Sequence, residues 1–437
     1  MANEIKDQQD ILKKLNIASL NDMQKEAIAV IEKTANTILL SPTGTGKTLA
    51  FLLPIIKNLN IENPEVQALI VVPTRELAIQ IEQVIRNIGS GFKVNAVYGG
   101  RSKSKDKIEL KHTPAILVGT PGRILDHFDD DRFSKASINT LVLDEYDKSL
   151  EIGFESEMSD ILISLPSVSK RILTSATQCV EIPKFVKLDN AIVLDYLSET
   201  IDSKLTVETI ISPDKNKLST LLKLVHYLEN QPGIIFCNFR DSIEMVSDFL
   251  NENKISHTSF SGGMEQKDRE RALIKFRNGT SQILLATDLA ARGIDIPELK
   301  FIIHYELPHS EVEFTHRNGR TARVNEKGTS YVLKWKDQLL PEFIEKTEPK
   351  EIPQSAPYAS QYWETLFISG GRKDKISKGD IAGLFIKQGN LTNEQLGVIE
   401  LKQDCAFVAV PLELSNQLIS KLNNSRLKKK KVRIYIL

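Results

Sequence analysis

The chain has 437 residues, 41% of them hydrophobic and 26% charged, with a formal net charge of zero. That length exceeds one ordinary domain and predicts two or three, and the composition is globular, neither disordered nor fibrous. The longest apolar stretches are strand length, so no membrane span is expected. The first residues, MANEIKDQQD, lack the apolar core of a secretion signal. Cys179, Cys237 and Cys405 lie far apart with no CxxC pair, which argues against a zinc site or disulfide framework and fits a reducing cytoplasm. The zero net charge hides an asymmetry: residues 362–437 hold 13 Lys+Arg against 7 Asp+Glu, a net +6, so the preceding residues carry −6. Such a basic module suggests an anionic partner, although a solvated lysine-rich face would read the same way.

In chain order, apolar runs at 38–40, 68–72, 115–118, 141–143 and 172–174 alternate with helix-like segments. The segment 75–88 places apolar residues at 77, 78, 81, 84, 85 and 88, one face of a helix. Strand-then-helix alternation predicts a parallel sheet covered on both faces. The same rhythm restarts at 234–237 and continues through 283–286, 301–304 and 330–333, predicting a second α/β domain. A proline-containing stretch, 348–358, reads as a linker. After it come strand 365–369, helix 379–387, strands 398–401 and 406–410, helix 414–423 and strand 432–436. This βαββαβ order is the ferredoxin-like arrangement of RNA-recognition motifs. The expected division is 1–200, 207–347, a linker over 348–361, and 362–437.

Ser41-Pro42-Thr43-Gly44-Thr45-Gly46-Lys47-Thr48 follows a predicted strand and opens a helix, the context a phosphate loop needs. Gly44 and Gly46 let the backbone curl so that successive N–H groups face phosphates, and the helix beginning near Lys47 adds its positive end. Lys47 would neutralise the β- and γ-phosphates of ATP, and the Thr48 hydroxyl would ligate Mg2+. Ser41 stands where the general pattern has its first glycine. Downstream, the apolar run 141–143 ends in Asp144 and Glu145. Asp144 is placed to hold Mg2+ and Glu145 to orient the attacking water; packing alone gives no reason for a buried strand to end in adjacent carboxylates.

These motifs, in this order, resemble the DEAD-box helicases of superfamily 2 over about residues 24–323. The resemblance implies two tandem RecA-like parallel-sheet domains, RNA-dependent ATP hydrolysis and local unwinding of RNA. It implies that Gln24 reads the adenine edge, that Ile17 covers the base, and that Gly293 and Asp295 also belong to the nucleotide site. Pro73, Thr74 and Arg75, Gly99 and Gly100, and Thr120, Pro121, Gly122 and Arg123 resemble the first domain's RNA contacts. Gln266, Arg269 and Thr287 resemble those of the second. Asp147, Ser175 and Thr177 correspond to the element coupling hydrolysis to strand separation. His316, Arg320 and Arg323 correspond to the arginine-finger motif acting on the γ-phosphate.

Three positions depart from the family pattern: Tyr146 replaces an alanine, Leu20-Asn21-Asp22-Met23 replaces Pro-Thr-Pro-Ile, and Ala322 replaces a glycine. Residues 367–376 and 378–381 resemble the RNA-binding domain of the DbpA helicases, an RRM-like α+β module. That likeness implies structured RNA of the 23S-type large-subunit ribosomal class and a role on pre-ribosomal particles, by a cytoplasmic monomer without a membrane partner. Only Phe407 stands in the strand motif where base-stacking aromatics are usual, so binding is expected through basic loops. Competing readings are an ATP-binding RNA clamp or chaperone with little turnover, and a DNA translocase.

Overall fold

The computed structural model describes residues 8–178, 182–197, 205–288, 296, 299–321, 327–353 and 362–437; the expected site residues Gly293, Asp295 and Arg323 lie outside them. Two compact units divide between residues 202 and 203.

The first unit carries β1 (Asn36–Leu40), β2 (Ala68–Val71), β3 (Val94–Val97), β4 (Ile116–Gly119), β5 (Thr140–Leu143), β6 (Lys170–Ser175) and β7 (Ile192–Asp195). They form one sheet in the order β3-β4-β2-β5-β6-β1-β7, with every pairing parallel. Successive residues point to opposite faces of a strand. Leu39, Ile70, Val118, Val142 and Ile172 accordingly enter one core, and Leu40, Val71, Leu117, Leu143 and Leu173 enter the other. Two buried faces explain why these strands read as unbroken apolar runs. The helix Arg75–Ile88 buries Leu77, Ala78, Ile81, Ile85 and Ile88, the stripe its spacing predicted.

In the second unit β8 (Leu205–Ser212), β9 (Gly233–Phe236), β10 (His257–Phe260), β11 (Ile283–Ala286), β12 (Phe301–His304) and β13 (Gly328–Trp335) form a second parallel sheet, ordered β10-β11-β9-β12-β13-β8. At Gly233 a Cβ would stand 2.2 Å from the Phe301 ring, so strand β9 needs glycine there. Residues 348–353, expected as linker, run beside β8: Pro349 bridges Thr209, Lys350 Nζ pairs with Glu208 at 2.8 Å, and Ile352 packs on the domain core.

The same unit contains the C-terminal sheet of β14 (Trp363–Ile368), β15 (Ile399–Leu401) and β16 (Ala406–Pro411). A hairpin of β17 (Arg426–Leu427) and β18 (Lys430–Lys431) precedes the last sheet strand, β19 (Ile434–Ile436). The antiparallel order is β15-β16-β14-β19, and its inner face packs Leu366, Ile368, Val408 and Ile434 against Phe385 and Leu418. The expected strand 432–436 is shorter because Val432 closes the hairpin, its N–H donating to Ser425 O at 3.0 Å. The helix expected over 379–387 begins at Lys378 and passes at Leu384 into a π-turn, Leu384–Gln388.

Tyr146, the unusual residue of the tetrad, is completely buried in the second core of the first domain. Replacing it by alanine leaves a ring-sized cavity. Tyr146→Ala should destabilise that domain by about 3–5 kcal/mol, read as a lowered urea midpoint for its unfolding transition.

Candidate active site

The phosphate loop joins the carboxyl end of β1 to the helix Lys47–Asn58. Gly44 and Gly46 have φ of 85° and 86°, a region open to glycine without strain. A Cβ on Gly46 would also stand 2.3 Å from Gln24 Nε2. Asn21 and Gln24 form a reciprocal cap on the helix Asp22–Lys33. From there Asn21 Nδ2 donates to Thr45 O at 3.0 Å and Gln24 Nε2 to Gly46 O at 3.2 Å. The irregular 20–23 segment is thereby tied to the loop. Ser41 Oγ donates to Thr45 Oγ1 at 2.8 Å, and Thr45 Oγ1 to Pro42 O at 2.9 Å, bracing the loop from within. Thr43 and Thr48 are half-buried, and Ile17 packs at the edge of the adjacent core.

Lys47 is 8% exposed and donates to the carbonyls of Ser41 and Pro42. Burial pushes its pKa down to about 8, against the opposing charges of Asp144 and Glu145. Asp144, at the end of β5, is 3% exposed; it accepts from the Thr174 hydroxyl and, at 3.2 Å, from Glu145 N–H. Burial and then the Glu145 charge push it up to about 6. A cation and a carboxylate thus share a nearly dry site, each at a cost that a phosphate and a divalent cation would offset. In this sense the residues present fit both groups.

Glu145 adopts φ 50° and ψ 48° at the start of the helix Tyr146–Glu151. A non-glycine residue held there costs about 1 kcal/mol, and the fully buried Lys148 pairs with its carboxylate at 2.8 Å. Next to it, Thr177 Oγ1 donates to Asp147 Oδ2 at 2.8 Å, and Ser175 Oγ to Thr177 O at 2.7 Å. Ser41 N–H donates to Ser175 O at 3.1 Å, so Asp147, Ser175 and Thr177, the three residues expected to couple hydrolysis to strand separation, are joined to the phosphate loop.

The expected RNA-contact residues of the first domain also gather. Thr74 caps the helix Arg75–Ile88, its hydroxyl accepting from Leu77 N–H. The Arg75 guanidinium lies against Gly99 and Gly100, where a Cβ on Gly100 would meet it at 2.4 Å. Thr120 and Pro121 open the helix Pro121–Asp129, and Gly122 faces open space. Arg123 is buried, and its Nε donates to Tyr98 O at 3.2 Å and its Nη2 to Arg101 O at 2.5 Å. Sequence reasoning missed Asp106, fully buried, which pairs with Arg101 at 3.0 Å and His127 at 3.2 Å. An acid among the lysines of a short helix gives no signal of that role.

In the second unit Gln266 opens the helix Gln266–Arg277, Arg269 lies 4.7 Å over the Phe260 ring, and Thr287 is half-buried beyond β11. His316 and Arg320 are buried, at 6% and 5% exposure. Between them Arg317, also missed from sequence, donates to Asp288 Oδ1 at 2.7 Å, Asn238 Oδ1 at 2.8 Å and Glu306 O at 2.7 Å. Burial first, then the Arg317 charge, push His304 beside it down to about 3. On the C-terminal sheet Phe407 is not alone. Phe367 stacks on Tyr435 at 4.7 Å and meets Phe407 edge-on at 5.6 Å.

Family models match the chain in three segments: DEAD/DEAH box helicase over 21–184, helicase conserved C-terminal domain over 216–325, and DbpA RNA binding domain over 365–436. The ATP-dependent RNA helicase DbpA of Escherichia coli is 30% identical across 98% of this chain and 96% of its own length. That of Bacillus subtilis is 29% identical across 94% and 93%. Among solved structures, the DEAD-box helicase Mss116 bound to single-stranded RNA and UDP-BeF superposes with TM-score 0.69 at 26% identity, covering 77% of this chain and 75% of that one.

The raised Asp144 pKa carries a stability signature. The folded state holds the proton more tightly than the unfolded chain, so stability is lost as pH rises from about 4 to about 6. Asp144→Asn should therefore stabilise the unliganded first domain at pH 7 by about 1–3 kcal/mol. The gain should vanish below about pH 4, where both states are protonated; unfolding curves at the two pH values check it.

Proposed function

This chain belongs to the DEAD-box ATP-dependent RNA helicases of the DbpA type, and on that premise we propose that it remodels large-subunit ribosomal RNA during ribosome assembly. The observation that carries the target is the C-terminal domain and its basic loops. Arg372 N–H donates to Lys402 O at 3.0 Å, which brings the loop after β14 beside the β15–β16 turn. Lys430 of the hairpin pairs with Asp374 at 2.8 Å, and Lys428 with Asp380 at 2.9 Å. These contacts hold the hairpin against the first loop and support one basic surface that includes Lys373, Lys429, Lys431 and Arg433. Excess cations on compact loops suit phosphate contacts on a folded RNA.

In the first domain, Lys47 and the loop amides receive the ATP phosphates, Gln24 and Ile17 face the base, and Glu145 orients the attacking water. Thr48 and Asp144 would hold Mg2+, which polarises the phosphate oxygens when bound. Arg320, with His316 beside it, supplies positive charge to the γ-phosphate in the nucleotide-bound state. Asp147, Thr177 and Ser175 relay loss of the γ-phosphate to the RNA contacts. The reaction releases a bent strand without a directional step, so short duplexes are opened locally. The enzyme acts as a monomer in the cytoplasm.

Lys47→Ala should abolish RNA-stimulated phosphate release while thermal unfolding persists at a similar temperature. Glu145→Gln should keep ATP and RNA bound but lower turnover at least a hundredfold, seen as slow RNA release in a chase. For the target, the RNA concentration giving half-maximal ATPase should be at least tenfold lower for a large-subunit ribosomal RNA fragment than for an unrelated RNA of equal length. Replacing Lys429, Lys431 and Arg433 together by alanine should remove that preference and lower the slope of log affinity against log salt by about 1 per cation. Equal half-maximal concentrations for the two RNAs in the unaltered chain would refute the ribosomal assignment.

A further inference from the structure

The outer face of the C-terminal sheet is only half open. Residues paired across an antiparallel ladder share a face, so Glu400, Phe407, Phe367 and Tyr435 form one row. Trp363 and Thr365 of β14 lie on that same face. Thr365 is fully buried although it belongs to an outward row, and its partners come from the second α/β domain. Thr280 and Thr365 hydroxyls are 2.7 Å apart, and Asn278 Nδ2 donates to Thr365 Oγ1 at 3.2 Å. Glu400 receives two hydrogen bonds from one guanidinium, Arg277 Nε at 2.6 Å and Nη2 at 2.9 Å. This bidentate geometry fixes orientation as well as distance.

Between those contacts, Gly279 has φ +74°, and a Cβ there would stand 3.1 Å from Trp363 Cδ1. The indole therefore lies directly on the backbone that follows the helix. The start of the chain between the domains is held to the second domain, since Lys350 pairs with Glu208 at 2.8 Å and lies 5.3 Å over the Tyr227 ring.

The docking contacts described above, from Arg277, Asn278, Gly279 and Thr280, come from the last turn of one helix, Gln266–Arg277, and the residues just after it. The first turn of that helix carries Gln266 and Arg269, which the functional reading assigns to RNA. Twelve residues of helix make a rod about 18 Å long. We propose that this helix is a strut between two RNA grips: it holds the C-terminal domain in one orientation on the second helicase domain. RNA bound by the basic loops is then presented at a set spacing from Gln266 and Arg269. The inference rests on the functional reading for the RNA roles of the two ends, whereas the docking stands on geometry alone.

The test uses the full chain. Spin labels at exposed positions, introduced as Asp248→Cys on the helicase domain and Asn416→Cys on the C-terminal domain, report the distance between them. A single narrow distribution is expected, broadened in Glu400→Arg and narrowed again when Arg277→Glu is added. A broad distribution in the unaltered chain, or no broadening in Glu400→Arg, overturns the docking. The second arm uses a ribosomal RNA fragment joined to a short duplex by single-stranded spacers of graded length. Unwinding by the unaltered chain should peak at one spacer length by at least threefold, and Glu400→Arg should flatten that profile. Its ATPase with short generic single strands should stay within twofold. Equal spacer profiles in the two proteins overturn the strut role even if the docking holds. If the unaltered chain binds the fragment no better than unrelated RNA, the functional reading of the tail fails instead, and the spin-label distances still decide the docking.

Discussion

Lys47, Asp144 and Lys148 are taken almost wholly out of water at the ends of strands β1 and β5. An ionised group in such a place costs several kcal/mol unless partners restore what hydration supplied. Here the partners are incomplete by design of the site. Lys47 has two backbone carbonyls, and Asp144 has one hydroxyl and one amide. Both pKa values move toward the neutral forms, to about 8 and about 6. Burial thus works against the charged form of each group, a cost that a bound phosphate and a divalent cation would offset.

The sheet makes this state possible. A parallel strand buried on both faces has little room for a charged side chain in its middle, so charged groups collect at the carboxyl edge, where loops begin. Leu40 pairs with Ser175 on one side of β6, and Leu143 lies opposite Leu173 on its other side. The phosphate loop, the acidic pair and the coupling serine consequently emerge side by side. The strained φ of Glu145 at 50° is tolerated because Lys148 and the buried Tyr146 anchor the turn from below.

The C-terminal domain follows a different economy. Its small core leaves a sheet face outward, and half of that face is spent on the neighbouring domain. Thr365 shows the logic. Its hydroxyl is fully buried but doubly partnered by Asn278 and Thr280, which makes the contact specific without being strongly apolar. The open half keeps the Phe367–Tyr435 stack, and the cations sit apart on the loops and hairpin. The docked half of the sheet, the aromatic stack and the cations are thereby separated on one small module.

The sequence by itself determined what depends on short-range pattern. Every inner strand of both parallel sheets was legible as an apolar run, and the helix Arg75–Ile88 as a stripe. The phosphate loop and acidic pair were legible because their chemistry demands particular residue types at fixed spacing. Unseen were β3, β7, β8 and β10, the outermost strands of the two sheets. β8 and β10 are partly exposed and polar residues interrupt their runs, β3 carries a buried asparagine, Asn95, and β7 holds a short apolar run at 192–194 that sequence reasoning missed. Tertiary structure alone decided which charged residues became buried. Arg123, Arg317 and Asp106 look like surface residues in a list of letters, yet each is buried against a partner 21 to 29 residues away. The same holds for Arg277 and Glu400, 123 residues apart. A long-range pair of this kind leaves no local periodicity, because its cause is the meeting of two domains and not the folding of either.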